Sequence, residues 1–238
     1  MEQIKISAKN LGQVALEDFC ERCFWIKLKT ANKLPWQIFP GIFSSIDAYT
    51  KKCAHALLDQ GFDHLPWLKD IGGIARYHKT PHHTKFKTDF PGFGITLNGI
   101  TDDIFELTDG SFVIPDYKTA KYTANQDKLL PLYAIQLNGY KAIAEATGFD
   151  KVSSLWLVYF EPATDEEDAK SRTGIGGFSM AFTAKPVQVA IDRPALDAAL
   201  QKTREIYDAT VLPKKAEGCK DCDSMSGIID LLAKMPPL

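Results

Sequence analysis

The 238-residue chain has no long hydrophobic run and no strong excess of charge of either sign. Its apolar stretches fall short of the roughly 20 residues that span a bilayer, and its N-terminus lacks the charged-then-apolar pattern of a secretory signal. These absences predict a soluble, globular, cytoplasmic protein without a membrane partner. The formal net charge of -2 gives no sign of a general nucleic-acid binder, although a local basic track beside an acidic site would suffice for a protein that acts on nucleic acid.

Cysteine is scarce, and its spacing is informative. Four of the five cysteines form two C-x-x-C pairs, Cys20 with Cys23 and Cys219 with Cys222. In a reducing cytosol such pairs are more often metal ligands or redox centres than disulfides. Because the pairs stand near opposite ends of the chain, they predict one four-thiolate site for Zn²⁺ or a [4Fe-4S] cluster. The remaining cysteine, Cys53, is expected to be an ordinary small core residue.

Apolar residues at three- and four-residue steps predict helices at residues 8–23, 44–60, 126–147 and 194–210. Ser44 or Ser45 is the candidate N-cap of the second helix. Gly61 and Gly148 are expected to end the second and third helices, since glycine is favoured just after a helix C-terminus.

Strand patterns occupy residues 94–107, 111–119 and 153–160, and one interrupted strand or a strand pair is expected at 178–191. The dipeptide Asp109-Gly110 between the first two runs predicts a hairpin. Residues 62–90 and 162–177 carry no sustained period. They are expected to be loops, the first of them a candidate active-site flap.

Polar residues converge on the predicted hairpin. Asp116 and Lys118 are two residues apart in a strand and therefore share one face. A two-residue turn would set Asp103 opposite Asp116, whereas a three-residue turn would set Asp102 there, and periodicity leaves both open. An unpaired acid after the apolar residues 112–115 is costly unless it binds a cation or a partner, so a solvated polar face with an ion pair fits poorly.

This set of side chains suits a divalent metal. Hard cations such as Mg²⁺ bind carboxylate oxygens together with water. A lysine beside the metal can orient or deprotonate a water molecule and can stabilise charge that develops on an attacked phosphate.

The ordered set resembles the RecB-like nucleases of the PD-(D/E)XK superfamily. Their signature is Gly-x-x-Asp, a turn, Asp-x-Lys-Thr and a helix with Gln-x-x-x-Tyr, matched here by Gly99, Asp102, Asp116, Lys118, Gln136 and Tyr140. The resemblance covers roughly residues 8–160. It implies that Asp102 and Asp116 bind the metal and that Lys118 is the catalytic lysine. It also implies that Gln136 and Tyr140, one helical turn apart, hold the site or contact DNA.

The resemblance bears on two open choices. The Gly99-x-x-Asp102 spacing favours Asp102 over Asp103. The superfamily also places an acidic residue or a histidine on an earlier helix, where this chain offers Asp47 and His55. Residues 39–47 are similar to the corresponding segment of some RecB-like proteins, which favours Asp47 as a further metal ligand. The alternative for Asp47 is compensation of the helix dipole.

The implied fold is α/β and restriction-endonuclease-like, with a mixed central sheet flanked by helices and with the termini joined at the four-cysteine site. A single domain of residues 1–238 is expected, with its core at about 44–160 and with terminal segments 1–29 and 211–238 forming that site. CRISPR-associated adaptation nucleases and related helicase-nucleases hold their termini together with a [4Fe-4S] cluster. They use one early and three late cysteines, so the 2+2 arrangement here leaves zinc open.

The implied function is hydrolysis of DNA phosphodiester bonds with Mg²⁺ or Mn²⁺, in DNA repair, recombination or defence. DNA is the expected partner, together with an unidentified protein of a repair or defence complex. Two alternatives remain at this level: a catalytically silent DNA-binding or scaffold protein with the same fold, and a nuclease directed at RNA.

Overall fold

The structure is a computed structural model that describes residues 2–30, 41–61, 65–123 and 128–234. Its strands are β1 (Ile4–Ser7), β2 (Ile74–His78), β3 (Lys87–Phe90), β4 (Ile95–Asn98), β5 (Ile104–Leu107), β6 (Phe112–Lys118), β7 (Val152–Pro162), β8 (Thr173–Gly174), β9 (Gly177–Phe178) and β10 (Phe182–Val189). Its helices are α1 (Ala8–Gly12), α2 (Glu21–Lys29), α3 (Gly41–Leu58), α4 (Leu130–Ala146), α5 (Glu166–Ser171), α6 (Arg193–Asp208) and α7 (Lys220–Ala233). Among these residues no helix is both long and apolar enough to cross a membrane.

The central sheet has the strand order β10-β7-β6-β5-β2 and is mixed. Strands β6 and β7 run parallel, whereas the other neighbours are antiparallel. Residues 155–160 of β7 are all buried, because helices cover both faces of the sheet at this strand. Pro186 lies in β10, where an edge position tolerates the missing N–H.

Alternate residues of β6 and β7 divide between two hydrophobic clusters. Ile114, Leu157 and Tyr159 join the larger cluster with side chains of α4 and α6. Val113 and Val158 join the smaller one, which α3 and the 3-10 turn Pro66–Leu68 complete. The expected mixed sheet flanked by helices is therefore confirmed. A second sheet, of order β1-β4-β3, adds its own buried residues to the larger cluster.

Several local predictions were wrong near the N-terminus. Residues 8–23 do not form one helix, because α1 ends at Gly12 and the chain is extended at Leu16 before α2 begins. Helix α3 begins at Gly41, ahead of Ser44 and Ser45. The Ser45 hydroxyl donates to the Gly41 carbonyl from inside the helix, so it is not the N-cap.

The predicted loops also contain regular structure. Residues 62–90 include β2 and β3, which lie at sheet edges and therefore lack the alternation of a half-buried strand. Residues 162–177 include α5, whose N-cap Asp165 accepts a hydrogen bond from the Asp168 amide. The single strand predicted at 94–107 is two strands in different sheets. Helix α4 begins at Leu130, and residues 126 and 127 lie outside the described part of the chain.

Other predictions are confirmed. Gly61 and Gly148 follow α3 and α4 with positive φ values of 117° and 103°. The strand predicted at 153–160 and the helix predicted at 194–210 correspond to β7 and α6. Helix α7 and strand β1 were not predicted, because neither segment carries an apolar pattern long enough to indicate a helix or a strand.

Helices α1 and α4 pack so closely that Gly12 has no room for a side chain. A Cβ there would lie 2.4 Å from the Leu132 carbonyl oxygen. Gly12→Ala is therefore expected to lower the free energy of unfolding by about 1–3 kcal/mol. Gly227→Ala in α7 is the matched control, because nothing lies within 4 Å of its added methyl group. It is expected to leave stability unchanged or to raise it by up to about 1 kcal/mol. Urea unfolding measures both, and equal stability of the two variants would contradict the close packing.

Candidate active site and four-cysteine centre

The hairpin between β5 and β6 turns through three residues, 108–110. The Leu107 amide donates to the Ser111 carbonyl at 2.8 Å, and Phe105 pairs with Val113. Gly110 adopts a φ of 81°, which suits the left-handed position of such a turn. Continued beyond the end of β5, this register sets Asp102 opposite Asp116.

Asp102 and Asp103 point to opposite faces of the hairpin. The Asp102 carboxylate accepts a hydrogen bond at 2.5 Å from the Tyr117 amide, directly after Asp116. Asp103 is fully buried on the other face, where the Tyr117 hydroxyl donates to it at 2.6 Å and His55 Nε2 lies 2.7 Å away. His55, the alternative to Asp47 in the sequence, thus contacts Asp103 and not the carboxylates of the candidate site.

Asp116 is held by two neighbours in a site where only 4% of the residue is exposed. The Lys118 ammonium contacts its Oδ2, and the Gln136 side-chain amide donates to its Oδ1 at 3.1 Å. Gln136 Nε2 also lies 3.0 Å from the Tyr140 hydroxyl oxygen, so helix α4 supports the acid through two linked side chains. The structure therefore brings the five residues predicted as catalytic into one place.

The electrostatics of this site are dominated by burial. Burial and then the negative charge of Asp116 raise the pKa of Asp102 to about 7, even though the nearby Lys51 ammonium opposes the shift. Burial alone would lower the pKa of Lys118, but the Asp116 carboxylate outweighs it and raises that pKa above its usual value. The Lys118 ammonium also lies 4.3 Å from the centre of the Tyr133 ring, a favourable cation–π position.

Gly99 and Tyr140 belong together for a steric reason. A Cβ on Gly99 would lie 2.4 Å from Cε1 of the Tyr140 ring. The ring therefore packs on the bare backbone that leads to Asp102. Thr101, which the sequence did not single out, fixes the same segment by placing its buried hydroxyl 3.1 Å and 3.3 Å from the carbonyl oxygens of Asp103 and Pro115.

The profile of the family described as "PD-(D/E)XK nuclease superfamily" matches residues 52–226, more than half of the chain. The chain belongs to this superfamily. Its membership indicates a nuclease-type function, and the matched residues include Asp102, Asp116 and Lys118. No curated protein matches the chain. A solved structure described as "Crystal structure of SSO0001" is similar, with 10% sequence identity over 87% of this chain and 78% of that chain and a TM-score of 0.45.

The earlier helix of this superfamily member, α3, reaches the acids through a lysine. Lys51 Nζ lies 2.8 Å from Asp47 Oδ2 and 2.7 Å from Asp102 Oδ1. Asp47 is therefore linked to Asp102 through Lys51, and its role as a metal ligand stays a prediction. Sequence reasoning missed Lys51, although its position four residues after Asp47 on one helix face was a usable signal.

The two C-x-x-C pairs of the superfamily member meet in space. Their four Sγ atoms all lie within 4.8 Å of one another, although about 200 residues separate the pairs. The closest approaches are 3.4 Å between Cys23 and Cys222 and 3.6 Å for both Cys20–Cys222 and Cys23–Cys219. The four-cysteine site that joins α2 to α7 is thus confirmed as a cluster able to hold a metal. Cys53 is exposed, contrary to the expectation that it belongs to the core.

The thiols of Cys20 and Cys222 differ in pKa. At Cys20, hydrogen bonds outweigh burial, foremost that from the Ala216 amide, and the pKa falls to about 7. Burial raises the pKa of Cys222 to about 11. A cation among the sulfurs would favour the thiolate form of all four cysteines.

Proposed function

We propose that this protein is a Mg²⁺- or Mn²⁺-dependent nuclease that hydrolyses phosphodiester bonds of DNA. The observation that carries the proposal is the apposition of Asp102 and Asp116 beside Lys118 in a largely buried site. Its superfamily membership gives the nuclease chemistry, and the resemblance to RecB-like nucleases supports DNA as substrate and DNA repair, recombination or defence as the setting.

The donor set fits a hard divalent cation. Asp102 and Asp116 offer carboxylate oxygens, which Mg²⁺ and Mn²⁺ prefer. Burial and the charge of Asp116 disfavour a second carboxylate charge, and this raises the pKa of Asp102. A divalent cation held by the two acids would stabilise both negative charges. Within the described residues, the buried Oε1 of Gln136 has no hydrogen-bond partner, so an acceptor for a water molecule stands beside Asp116.

When bound, the metal supplies polarisation of the phosphate and a more acidic water. The protein's own groups supply the rest. The Lys118 ammonium can orient the attacking water and stabilise negative charge that develops on the phosphate. Gln136 acts through Asp116 by holding Oδ1, and Tyr140 acts through Gln136. Both are therefore positioning residues that keep Asp116 in one orientation.

Asp116→Asn and Lys118→Ala are each expected to lower Mn²⁺-dependent cleavage at least about 100-fold, because each removes charge at the reacting centre. Labelled single- and double-stranded DNA are offered with Mn²⁺ or Mg²⁺, and circular dichroism checks folding. Lys170→Ala is the control, because Lys170 is an exposed lysine paired with Glu166 on α5.

The same assay separates the alternatives. Cleavage of RNA but not of DNA would mean that RNA is the substrate. Absence of any cleavage by the wild type would favour a catalytically silent nucleic-acid-binding or scaffold protein. Comparable turnover by wild type and Lys118→Ala would show that the assigned site is wrong.

The adjacent acids provide a matched pair. Asp102→Asn is expected to abolish metal-dependent activity with folding intact, since Asp102 faces Asp116. Asp103→Asn is expected to keep activity but to lose about 1–3 kcal/mol of stability, because the acid that contacts Tyr117 and His55 is buried. Cleavage rates and urea unfolding of both variants test this. Loss of activity confined to Asp103→Asn would mean that the other hairpin register operates in solution.

We further propose that the four-cysteine centre binds one Zn²⁺ rather than a [4Fe-4S] cluster. Zn–S bonds of about 2.3 Å in a tetrahedron would give S–S edges of about 3.8 Å, and the four sulfurs here all lie within 4.8 Å of one another, with shortest contacts of 3.4 and 3.6 Å. A cubane places four irons between its thiolates and holds the sulfurs further apart. The centre lies outside the hairpin, so it contributes stability rather than chemistry.

Cys219→Ala is expected to remove the zinc and to lower stability by about 3 kcal/mol, because a metal that binds only the folded chain adds its binding free energy. For a chain of this size that corresponds to a fall in Tm of about 6–12 °C. Cys53→Ala, at an exposed cysteine, is the control. Metal analysis of anaerobically purified protein distinguishes about one zinc from about four irons per chain. Finding about four irons would show that the centre holds a cluster and not zinc. An unchanged Tm of Cys219→Ala would refute the structural role.

A further inference from the structure

Lys51 bridges two carboxylates at the edge of the proposed active site. Its ammonium lies 2.8 Å from Asp47 and 2.7 Å from Asp102, so both acids contact one cationic atom. The two acids differ in environment, with side chains 49% and 9% exposed. Lys51 itself is 32% exposed and lies four residues from Asp47 on α3, which holds the pair in place.

The two carboxylate oxygens of Asp102 have different neighbours. Its Oδ1 faces Lys51, and its Oδ2 accepts from the amide next to Asp116. In two-metal nuclease sites the ions stand about 3.5–4 Å apart and clamp the attacking and leaving oxygens. Asp102 lies between Asp116 and Asp47, which is where an acid that bridges the two cations of such a site would lie. On the Asp47 side the cation is the lysine ammonium.

A second divalent ion would compete with that ammonium. Mg²⁺ binds carboxylate oxygens at about 2.0–2.1 Å, so an ion on Asp102 Oδ1 would stand close to Lys51 Nζ and be repelled by it. The charges point the same way. Three carboxylates contact two ammonium groups here, which leaves one negative charge that a single divalent cation more than neutralises. A second ion would leave a large positive excess.

We propose that Lys51 takes the place of a second metal ion, so that the site binds one divalent cation, and that Asp47 serves to position Lys51. This inference rests on the proposed function, because it concerns the metal held by Asp102 and Asp116. An exposed ion pair would contribute little by itself. Here one partner is the buried acid of the site, and the lysine is fixed by a second carboxylate on its own helix.

The test counts Mn²⁺ ions by calorimetry and by electron paramagnetic resonance, on protein whose four-cysteine metal has been measured beforehand. The wild type is expected to bind about one Mn²⁺ per chain, and Lys51→Ala about two, with the spectrum of a coupled ion pair at the spacing of two-metal sites. Lys51→Arg keeps the positive charge and should still bind about one. Lys52→Ala, at the exposed neighbouring lysine, is the matched control and should also bind about one.

A double variant supplies the internal check. Adding Asp47→Ala to Lys51→Ala removes a ligand of the second position and should return binding to about one ion. If the wild type cleaves nucleic acid and binds about two Mn²⁺, or if well-folded Lys51→Ala still binds about one, the inference about Lys51 is wrong and the nuclease function stands. If the wild type binds no Mn²⁺ and cleaves nothing, the proposed function fails, and this inference fails with it.

Discussion

Asp102 and Asp116 face each other in a part of the protein that is mostly closed to water, and the surrounding structure compensates for the cost of that arrangement. Two carboxylates so placed repel each other and lose hydration. Each therefore has its own cationic neighbour, Lys51 for Asp102 and Lys118 for Asp116. A backbone amide and the Gln136 side chain occupy further oxygens. Asp47, which also contacts Lys51, adds one further negative charge, which a divalent cation would offset.

The position of these acids depends on the centre of the sheet. Strand β6 is bonded to β5 near its start and to the buried strand β7 along its whole length, so Asp116 and Lys118 cannot shift without disrupting the ladder with β7. The segment before β5 is held just as firmly, because Tyr140 packs on Gly99. Helix α4 thus supports both acids, one through Gln136 and the other through this ring contact.

The four-cysteine centre has a separate task at the far ends of the chain. It brings α2 and α7 together across about 200 residues of sequence, so a metal bound there would stabilise the folded chain. Cys20 and Cys23 precede the region that matches the superfamily profile, whereas Cys219 and Cys222 lie near its end. The N-terminal segment that carries the first pair also contributes β1 and α1 to the larger hydrophobic cluster. The proposed active site and the four-cysteine centre are therefore built from different elements.

Local patterns in the sequence determined a large share of this protein. Periodicity identified α4 and α6, an apolar run of strand length identified β7, and the two-residue step of a strand placed Asp116 and Lys118 on one face. The C-x-x-C spacing identified the cysteine centre. These features depend on neighbours within a few residues, which is why one sequence suffices for them.

Contacts between distant segments decided the rest. The edge strands β2 and β3 are held by hydrogen bonds to other strands, and their own side chains carry little pattern. Periodicity left Asp102 and Asp103 both open, because Asp109-Gly110 allowed the hairpin turn in two forms, and the length of that turn was decided by the pairing of β5 with β6. The contact of Lys51 with Asp102 joins residues of α3 and the β5 hairpin that are far apart in the chain. Periodicity describes which way a side chain points along its own element, and only tertiary packing determines what it meets there.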